Sequence, residues 1–315
     1  MIANKLLTIV VVNWNAGVQL AEAVASVARY HHHVVSSVII IDNASADNSL
    51  AQIEALTNLP FQIQTVRNRE NRGFGFACNQ GATLTNAEYL LFLNPDAAVY
   101  PGTLEKALAF MQDPSHADVG ICGVQLIDET GHVARSCARF PTSIGFVAHA
   151  LGLDRIFPRL GHRMAEWQHD TTREVDQVIG AFFLVRRSLF EALSGFDERF
   201  FVYFEEVDFS YRARQAGWRS VYLADVQAFH AGGGTSNQVK ARRLFYSLRS
   251  RLLFAFKHFS WFGASSVLLA TLLIEPFSRS AQALLRRSWP ALSETWSAYG
   301  MLWSDMGSIL KRCRE

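Results

Sequence analysis

Over roughly its first 125 residues the chain alternates short apolar runs with stretches of helical pattern, and this alternation narrows the fold more than any other feature. The runs lie at Leu6 to Val12, Val34 to Ile41, Phe61 to Val66, Tyr89 to Leu93 and Val119 to Val124. Between them fall helix-like segments at Val18 to Arg29, Asp47 to Leu56, Phe74 to Thr85 and Thr103 to Met111. Strand and helix repeated in this order imply right-handed βαβ units and an α/β fold whose central sheet is mainly parallel and flanked by helices. Ligands of such open sheets bind outside the carboxyl ends of the strands, so those ends form one functional rim. The opening MIANKLLTIVVVNWNAG superficially resembles a secretory signal, but it has no small-residue cleavage site and passes directly into Asn13-Trp14-Asn15. It reads as the first buried strand.

The expected rim is polar. It carries Asn13-Trp14-Asn15, Asp42-Asn43-Ala44-Ser45, Arg67-Asn68 and Asn94-Pro95-Asp96. A carboxylate at the position of Asp96 needs a partner, and a divalent metal holding a diphosphate supplies one, since Mg2+ is usually bound by one or two carboxylates plus phosphate oxygens. Asp42 has two readings: an acceptor for the imide N–H of uracil or thymine, or a turn acid in a stretch where Ser45 or Asp47 caps the next helix. In Asn68 to Ala82, Gly73-Phe74-Gly75 precedes a helix without matching a dinucleotide fingerprint or a P-loop. These glycines permit either a tight turn or a close approach to phosphate, and Asn79 beyond them reads as a polar contact between elements.

The alternation breaks after residue 125. Asp128 to Gly131 reads as a hairpin turn and Thr142 to Thr172 as irregular, while Gly180 suggests a bulge or close backbone approach and Ser188 the cap of a short helix. A helix pattern resumes near Glu205, with Glu205 and Asp208 on one face and Glu206 about 100° round. Acids in a first turn complement the helix dipole, but three of them in so aromatic a segment also suit a general base, whose basicity an apolar setting raises. His230, after a strand-like run and before glycines, is either structural or a metal or phosphate ligand.

Composition excludes some classes. A formal net charge of +2 and no long basic run argue against nucleic acid. Cys78, Cys122, Cys137 and Cys313 are scattered, as expected of reduced structural thiols in a cytosolic chain.

The ordered motifs TIVVVNWNAG, IIDNASAD, NRGFGFACNQGA, LFLNPDA, GAFFLVRRSLFEALSGFDERFFVYFEEVDFSYRARQAGW and FHAGGGT resemble family 2 glycosyltransferases of the rhamnosyltransferase-like branch, over roughly residues 5 to 240. The resemblance implies a GT-A fold, that of nucleotide-diphospho-sugar transferases, and inverting transfer with Mg2+ or Mn2+. It assigns the base contact to Asp42, the last acid of the D-x-D element to Asp96 and the second metal or diphosphate position to His230. Glu206 falls where the family usually has its basic Asp. That is a departure, and it leaves Glu205 as the other candidate; Asn94 replaces the first acid of D-x-D. The expected catalytic set is therefore Glu206, Glu205 and Asp208, with Asn13, Asn15, Asp42, Asn71, Gly73, Asn79 and Asn94 around the nucleotide sugar and Asp96 and His230 at the metal. The implied partners are a dTDP- or UDP-linked donor, with rhamnose or another deoxyhexose as the sugar, and a saccharide acceptor, lipid-linked in much of the family.

The domain boundaries expected on this basis are a catalytic domain at 1–240, divided at 125 into nucleotide-sugar and acceptor halves, and a helical extension at 241–315. Within the extension Phe259 to Ile274 gives sixteen uncharged residues, about 24 Å of helix against a hydrocarbon core of about 30 Å. Flanking Lys257, Arg279, Arg286 and Arg287, with Trp261, Trp289, Trp296 and Trp303, suit a helix lying in the headgroup region on the inner face of the cell membrane. Packing on the catalytic domain, a homodimer contact and a true membrane span are the competing uses. Two other functional readings stand beside the transferase: a sugar-phosphate nucleotidyltransferase, which normally has a glycine-rich basic loop that NWNAGVQLAE lacks, and a non-catalytic sugar-nucleotide-binding or membrane scaffold.

Overall fold

The structure is a computed structural model that describes residues 6–162, 164, 166–232 and 239–313. In chain order its elements are β1 (Leu7–Asn13), α1 (Gln19–Tyr30), β2 (Val35–Asp42), α2 (Ser49–Glu54), β3 (Gln62–Arg67), α3 (Phe74–Ala82), β4 (Tyr89–Leu93), β5 (Ala97–Val99), α4 (Thr103–Gln112), β6 (Val119–Ile127), β7 (Val133–Ala134), β8 (Cys137–Ala138), α5 (Ser143–Ala150), β9 (Arg173–Val175), β10 (Gln177–Val178), β11 (Phe182–Arg186), α6 (Arg187–Ala192), α7 (Glu205–Gln215), β12 (Arg219–His230), α8 (Lys240–His258), α9 (Trp261–Leu269), α10 (Glu275–Leu285), α11 (Trp289–Ser304) and α12 (Met306–Arg312). Two compact units emerge. One comprises Met1–Ala138, Trp167–Glu198 and Glu205–Thr235; the other draws Arg139–Glu166 and Arg199–Phe204 together with Ser236–Glu315.

The first unit is built on a sheet in the order β3-β2-β1-β4-β11-β6-β12-β5, with β7 and β9 at its margin. Strands β1 to β4 run parallel, as the sequence pattern requires, whereas β11 enters antiparallel between β4 and β6. Every residue of β1 and β4 is buried, the signature of strands covered on both faces. Alternation along β1 sends Leu7, Ile9 and Val11 into one apolar layer and Val10 and Val12 into the other. The second layer contains a phenylalanine cluster in which Phe196 lies 5.1 Å from Phe92 and 5.4 Å from Phe209 between ring centroids. Phe209 is on α7, so this cluster anchors the acidic helix.

The expected hairpin is present, with Ile127 opposite Val133. Three local expectations change. The short helix after β11 begins at Arg187, with Arg186 rather than Ser188 at its N-cap and no side-chain cap. A Cβ on Gly180 would meet nothing nearer than 3.8 Å, so no close approach demands that glycine. The stretch from Thr142, irregular by sequence, holds α5, started by the Thr142 hydroxyl accepting from the Gly145 N–H at 3.0 Å.

The second unit is helical. Its helix does not stop where the uncharged run ends at Ile274: α9, a π-helical turn at Ala270–Ile274 and α10 form one continuous helix, Trp261–Leu285. Glu275 is accommodated because Arg251 of α8 and Arg279 one turn later both pair with its carboxylate.

Candidate active site

Parallel register sets Asn13, the last residue of β1, beside Asp42, the last of β2. Asn13 is fully buried, and its amide nitrogen donates to Asp42 Oδ1 at 2.7 Å, Ser49 Oγ at 2.8 Å and Ser45 Oγ at 3.1 Å. The Ser45 N–H approaches Asp42 Oδ2 at 3.3 Å. Asp42 therefore fills the turn-acid role in the structure, with each carboxylate oxygen retaining acceptor capacity. Asn15 and Ala44 adopt left-handed backbone, φ 52° and 59°, and Asn15 Oδ1 accepts from the Ala46 N–H at 2.7 Å. The rim here is two loops braced by side chains.

The cap of α2 falls differently from either expectation. Asn48 occupies the N-cap without a side-chain bond, while Asp47 Oδ1 accepts from the Ser49 hydroxyl at 2.6 Å and Oδ2 from the Gly17 N–H at 2.8 Å. Burial works against the Asp47 charge, but these hydrogen bonds outweigh it and hold the carboxyl below its ordinary range.

Gly73 has φ 97°, a conformation strained for any residue with a Cβ, and is held from both sides. Its N–H donates to Asn71 Oδ1 and its carbonyl accepts from Asn43 Nδ2, both at 3.0 Å. On α3 the Asn79 amide is committed internally: it accepts from the Phe196 N–H at 2.8 Å and donates to the Phe196 carbonyl at 2.9 Å and to Glu198 at 3.0 Å. Asn79 thus clamps the loop after α6, the contact between elements that its position implied.

Antiparallel pairing of β12 with β5 aligns His230 with Ala97, and the Ala231 N–H donates to the Asp96 carbonyl at 3.0 Å. This brings His230 Nε2 to 3.4 Å from Asp96 Oδ1, both side chains retaining a small exposed fraction. Asn94, two residues upstream, is half-buried. Among the described residues no group of three or more His, Cys, Asp or Glu side chains forms a metal cage. One carboxylate beside one imidazole nevertheless fits a divalent ion whose remaining positions are taken by substrate phosphates. Of the glycine run after His230, residues 233–235 lie outside the described residues.

The two residues immediately before α7, Tyr203 and Phe204, have φ 66° and 72°, conformations costing about 1–3 kcal/mol each for residues other than glycine. The three acids of the first turn then diverge. Asp208 is fully buried and paired with Arg212 Nε at 2.8 Å, and the same guanidinium donates to the Leu193 carbonyl at 2.7 Å and the Gly195 carbonyl at 2.8 Å. These bonds give Asp208 a structural role. Glu205 is 4% exposed and its Oε2 lacks a hydrogen-bond partner among the described residues. Burial lifts the Glu205 carboxyl well above the carboxylate range and the neighbouring Glu206 charge adds to this, offset only in part by a backbone hydrogen bond. Glu206 is half-buried. The buried Cys78 thiol on α3 is also pushed up by burial and by both glutamates, which locates it beside the pair.

Sequence reasoning did not single out Arg212 or Ser49, and it offered Ser45 only as a helix cap and not as a partner of Asn13, although the bonds of all three organise the two halves of the site. The Asp208 to Arg212 spacing of four on a helix was the available signal for the first. The hydroxyls gave none, because their partners come from another strand.

Residues 8–194 match the sequence model of glycosyl transferase family 2. The N-acetylglucosaminyl-diphospho-decaprenol L-rhamnosyltransferase of Mycobacterium tuberculosis is 29% identical over 274 residues, covering 82% of this chain and 87% of its own length. A rhamnosyltransferase of Escherichia coli is 30% identical over 145 residues, 46% of this chain and 51% of its own. Among solved structures, a mannosyltransferase from Pyrobaculum calidifontis in complex with GDP-Man and Mn2+ superposes with a TM-score of 0.56 at 20% identity, covering 98% of this chain and 86% of the other. The family match spans more than half the sequence and the sheet agrees with it: the chain is a glycosyltransferase of GT-A fold and belongs to glycosyl transferase family 2.

Proposed function

We propose that this glycosyltransferase moves a deoxyhexose, rhamnose before others, from a dTDP- or UDP-linked donor to a saccharide borne on a lipid diphosphate at the cytoplasmic membrane face, with inversion at the anomeric carbon. The observation that carries the reading is the Asp96–His230 pair, a carboxylate and an imidazole joined at the strand-end rim by β5–β12 pairing. The sugar and acceptor rest on the relatives, two of which are named as rhamnosyltransferases and one by a lipid-diphosphate acceptor.

Asp96 and His230 would hold Mg2+ or Mn2+, which when bound offsets the negative charge of the donor diphosphate. Glu206 takes the proton of the acceptor hydroxyl as its oxygen attacks the anomeric carbon. The bond to the diphosphate breaks on the opposite face, so the configuration inverts. Burial, with the Glu206 charge adding to it, pushes the Glu205 carboxyl well above its ordinary range, so the two neighbouring acids stand in different environments, the kind of division that acid–base sites use. Asn13 and the Ser45 N–H brace Asp42 at the base end, Ser49 holds Asn13 in turn, and Asn71 with Gly73 shapes the turn before α3.

Calorimetric titration of dTDP and of UDP, with and without Mg2+ or Mn2+, tests this. Metal-dependent binding of at least one nucleotide that disappears in Asp96→Ala is the expected result, and the preferred base narrows the donor. Binding of neither nucleotide, or binding indifferent to the metal and to Asp96→Ala, would refute the site assignment.

A further inference from the structure

The mild net charge of the chain conceals a segregation. Lys and Arg outnumber Asp and Glu by 17 to 6 in the helical unit, a net of +11, whereas the sheet unit has 13 against 22, a net of −9, and the two sum to +2. Exposed large apolar side chains segregate in the same way. Among the described residues all of them except Val18, Leu84, Tyr100 and Val133 belong to the helical unit.

Apart from Trp289, Trp296 and Trp303 of α11 and Leu310 of α12, they fall on two elements that pack together. On the helix Trp261–Leu285 the exposed Phe262, Leu269, Leu273, Phe277 and Leu284 recur at helical spacing along one stripe, while the opposite face, with Ala264, Val267, Thr271 and Glu275, is buried. This is an amphipathic helix turned inside out, with its apolar stripe outward and its ion-paired glutamate inward. Beside it runs α5 with the turns that follow, exposing Ile144 (72%), Ile156 (69%) and Phe157 (58%). The two elements touch directly: a Cβ on Gly263 would lie 3.4 Å from Ser143 Cβ, and Arg155 donates to Gln282 Oε1 at 2.7 Å. Exposed Arg159, Arg286 and Arg287 accompany the apolar side chains, with Trp261 and Trp289 at the helix start and just beyond its end.

We propose that these two elements form a single face that docks on an anionic lipid bilayer, with Ile144, Ile156 and Phe157 entering the interface alongside the Phe262–Leu284 stripe, so that the chain is held on one leaflet and not by a span. This deepens the reading of a membrane-borne acceptor and rests on it. The helix, at about 37 Å, is long enough to cross a bilayer. A span, however, would place Glu275 and its arginine partners at mid-depth, whereas flat docking leaves them inside the protein. Charge chooses the occupant. A second copy would bring +11 against +11, while anionic headgroups attract basic residues near the surface and interfacial tryptophans favour the same boundary.

Sedimentation of the full-length protein with vesicles of phosphatidylcholine, alone or with phosphatidylglycerol, tests the proposal, with dTDP and UDP titrations on the same preparations reading the donor site separately. Strong binding only to the anionic vesicles is expected, weakened by salt. The double variant I156E/F157E should lower partitioning about tenfold or more, since each charge opposes burial of the apolar face. Both substituted side chains are exposed, so nucleotide binding should persist. R286Q/R287Q should flatten the salt dependence. Equal binding to neutral vesicles, or anionic binding indifferent to I156E/F157E, would overturn the docking face while leaving the transferase reading intact. Self-association without lipid that I156E/F157E abolishes would assign the face to a second copy instead. Intact vesicle binding with no nucleotide binding would refute the donor site alone.

Discussion

Two glutamates, one in each unit, are almost equally hidden from water, yet their carboxyl pKa values are moved in opposite directions. Glu205 opens α7 in the sheet unit at 4% exposure, with an oxygen that lacks a hydrogen-bond partner among the described residues and with Glu206 beside it, and its carboxyl is pushed well above the usual range by burial and that neighbour. Glu275 sits in the middle of a long helix of the other unit at 1% exposure. Burial works against its charge too, but Arg251, Arg279 and, more distantly, His149 outweigh it and lower its pKa to about 2. Burial therefore does not decide whether a carboxylate is charged; the partners delivered by neighbouring elements do. One glutamate is held charged by two arginines and locks a helix, while the other, with no such partner among the described residues, has its carboxyl pushed up by burial and by the glutamate beside it.

The widest break in the comparison is at Glu206. If Glu206 takes the acceptor's proton, Glu206→Gln removes the base without emptying the core, and transfer should fall by about 10² to 10⁴-fold, the range attributable to a positioned proton acceptor. Nucleotide binding by calorimetry should be unchanged. Full activity in Glu206→Gln, combined with a large loss in Glu205→Gln, would exchange the roles of the two residues.

Next in size is Glu275. Glu275→Gln leaves Arg251, itself 6% exposed, without its compensating charge, and breaking one side of a buried ion pair costs about 3–5 kcal/mol. Chemical denaturation followed by far-UV circular dichroism should show that loss at neutral pH. Because the folded pKa lies below the unfolded value, the contribution is present in full above the unfolded pKa of about 4.3 and is lost as pH falls toward 2. Wild type should therefore destabilise through that acid window more steeply than Glu275→Gln. Parallel acid profiles would mean that the arginines do not hold the charge.

How much of this was legible in advance follows physical lines. Strands β1 to β4 announce themselves because residues covered on both faces form continuous apolar runs, and Tyr89–Leu93 carries no other message. The Asp96–His230 pair came from the family resemblance, which put both residues at the metal, and not from any local pattern. It depends on β5, three residues after a turn-like Asn-Pro-Asp, pairing with the end of β12, and no local pattern in Ala97–Val99 reports that contact. In α7 the clustering of acids was visible, but their fates were not. Helical periodicity places Glu205 with Asp208, whereas Arg212 reaches only Asp208, so one ends ion-paired and the other with its carboxyl pushed up by burial. The stretch after Thr142 concealed α5 because an eight-residue helix with a glycine in its first turn has little propensity signal, and it is held by packing on α9.

The smallest expected effect sharpens the comparison most, because it has the opposite sign. A carboxyl whose folded pKa is raised binds a proton in the native state that the unfolded chain releases. Its ionisation then opposes folding, leaving stability undiminished below the unfolded pKa of about 4.3 and lowering it progressively as pH rises toward the folded value. Glu205→Gln mimics the neutral acid and removes that penalty. Thermal unfolding should accordingly show Glu205→Gln more stable than wild type at neutral pH, by about 2–4 °C if the net gain is ~1 kcal/mol in a unit of this size. The difference should vanish near pH 4, where wild type is protonated in both states. A variant less stable than wild type at neutral pH, with the same deficit at pH 4, would mean that Glu205 is held by a hydrogen bond that glutamine cannot reproduce, and the contrast with Glu275 would then be one of geometry and not of charge.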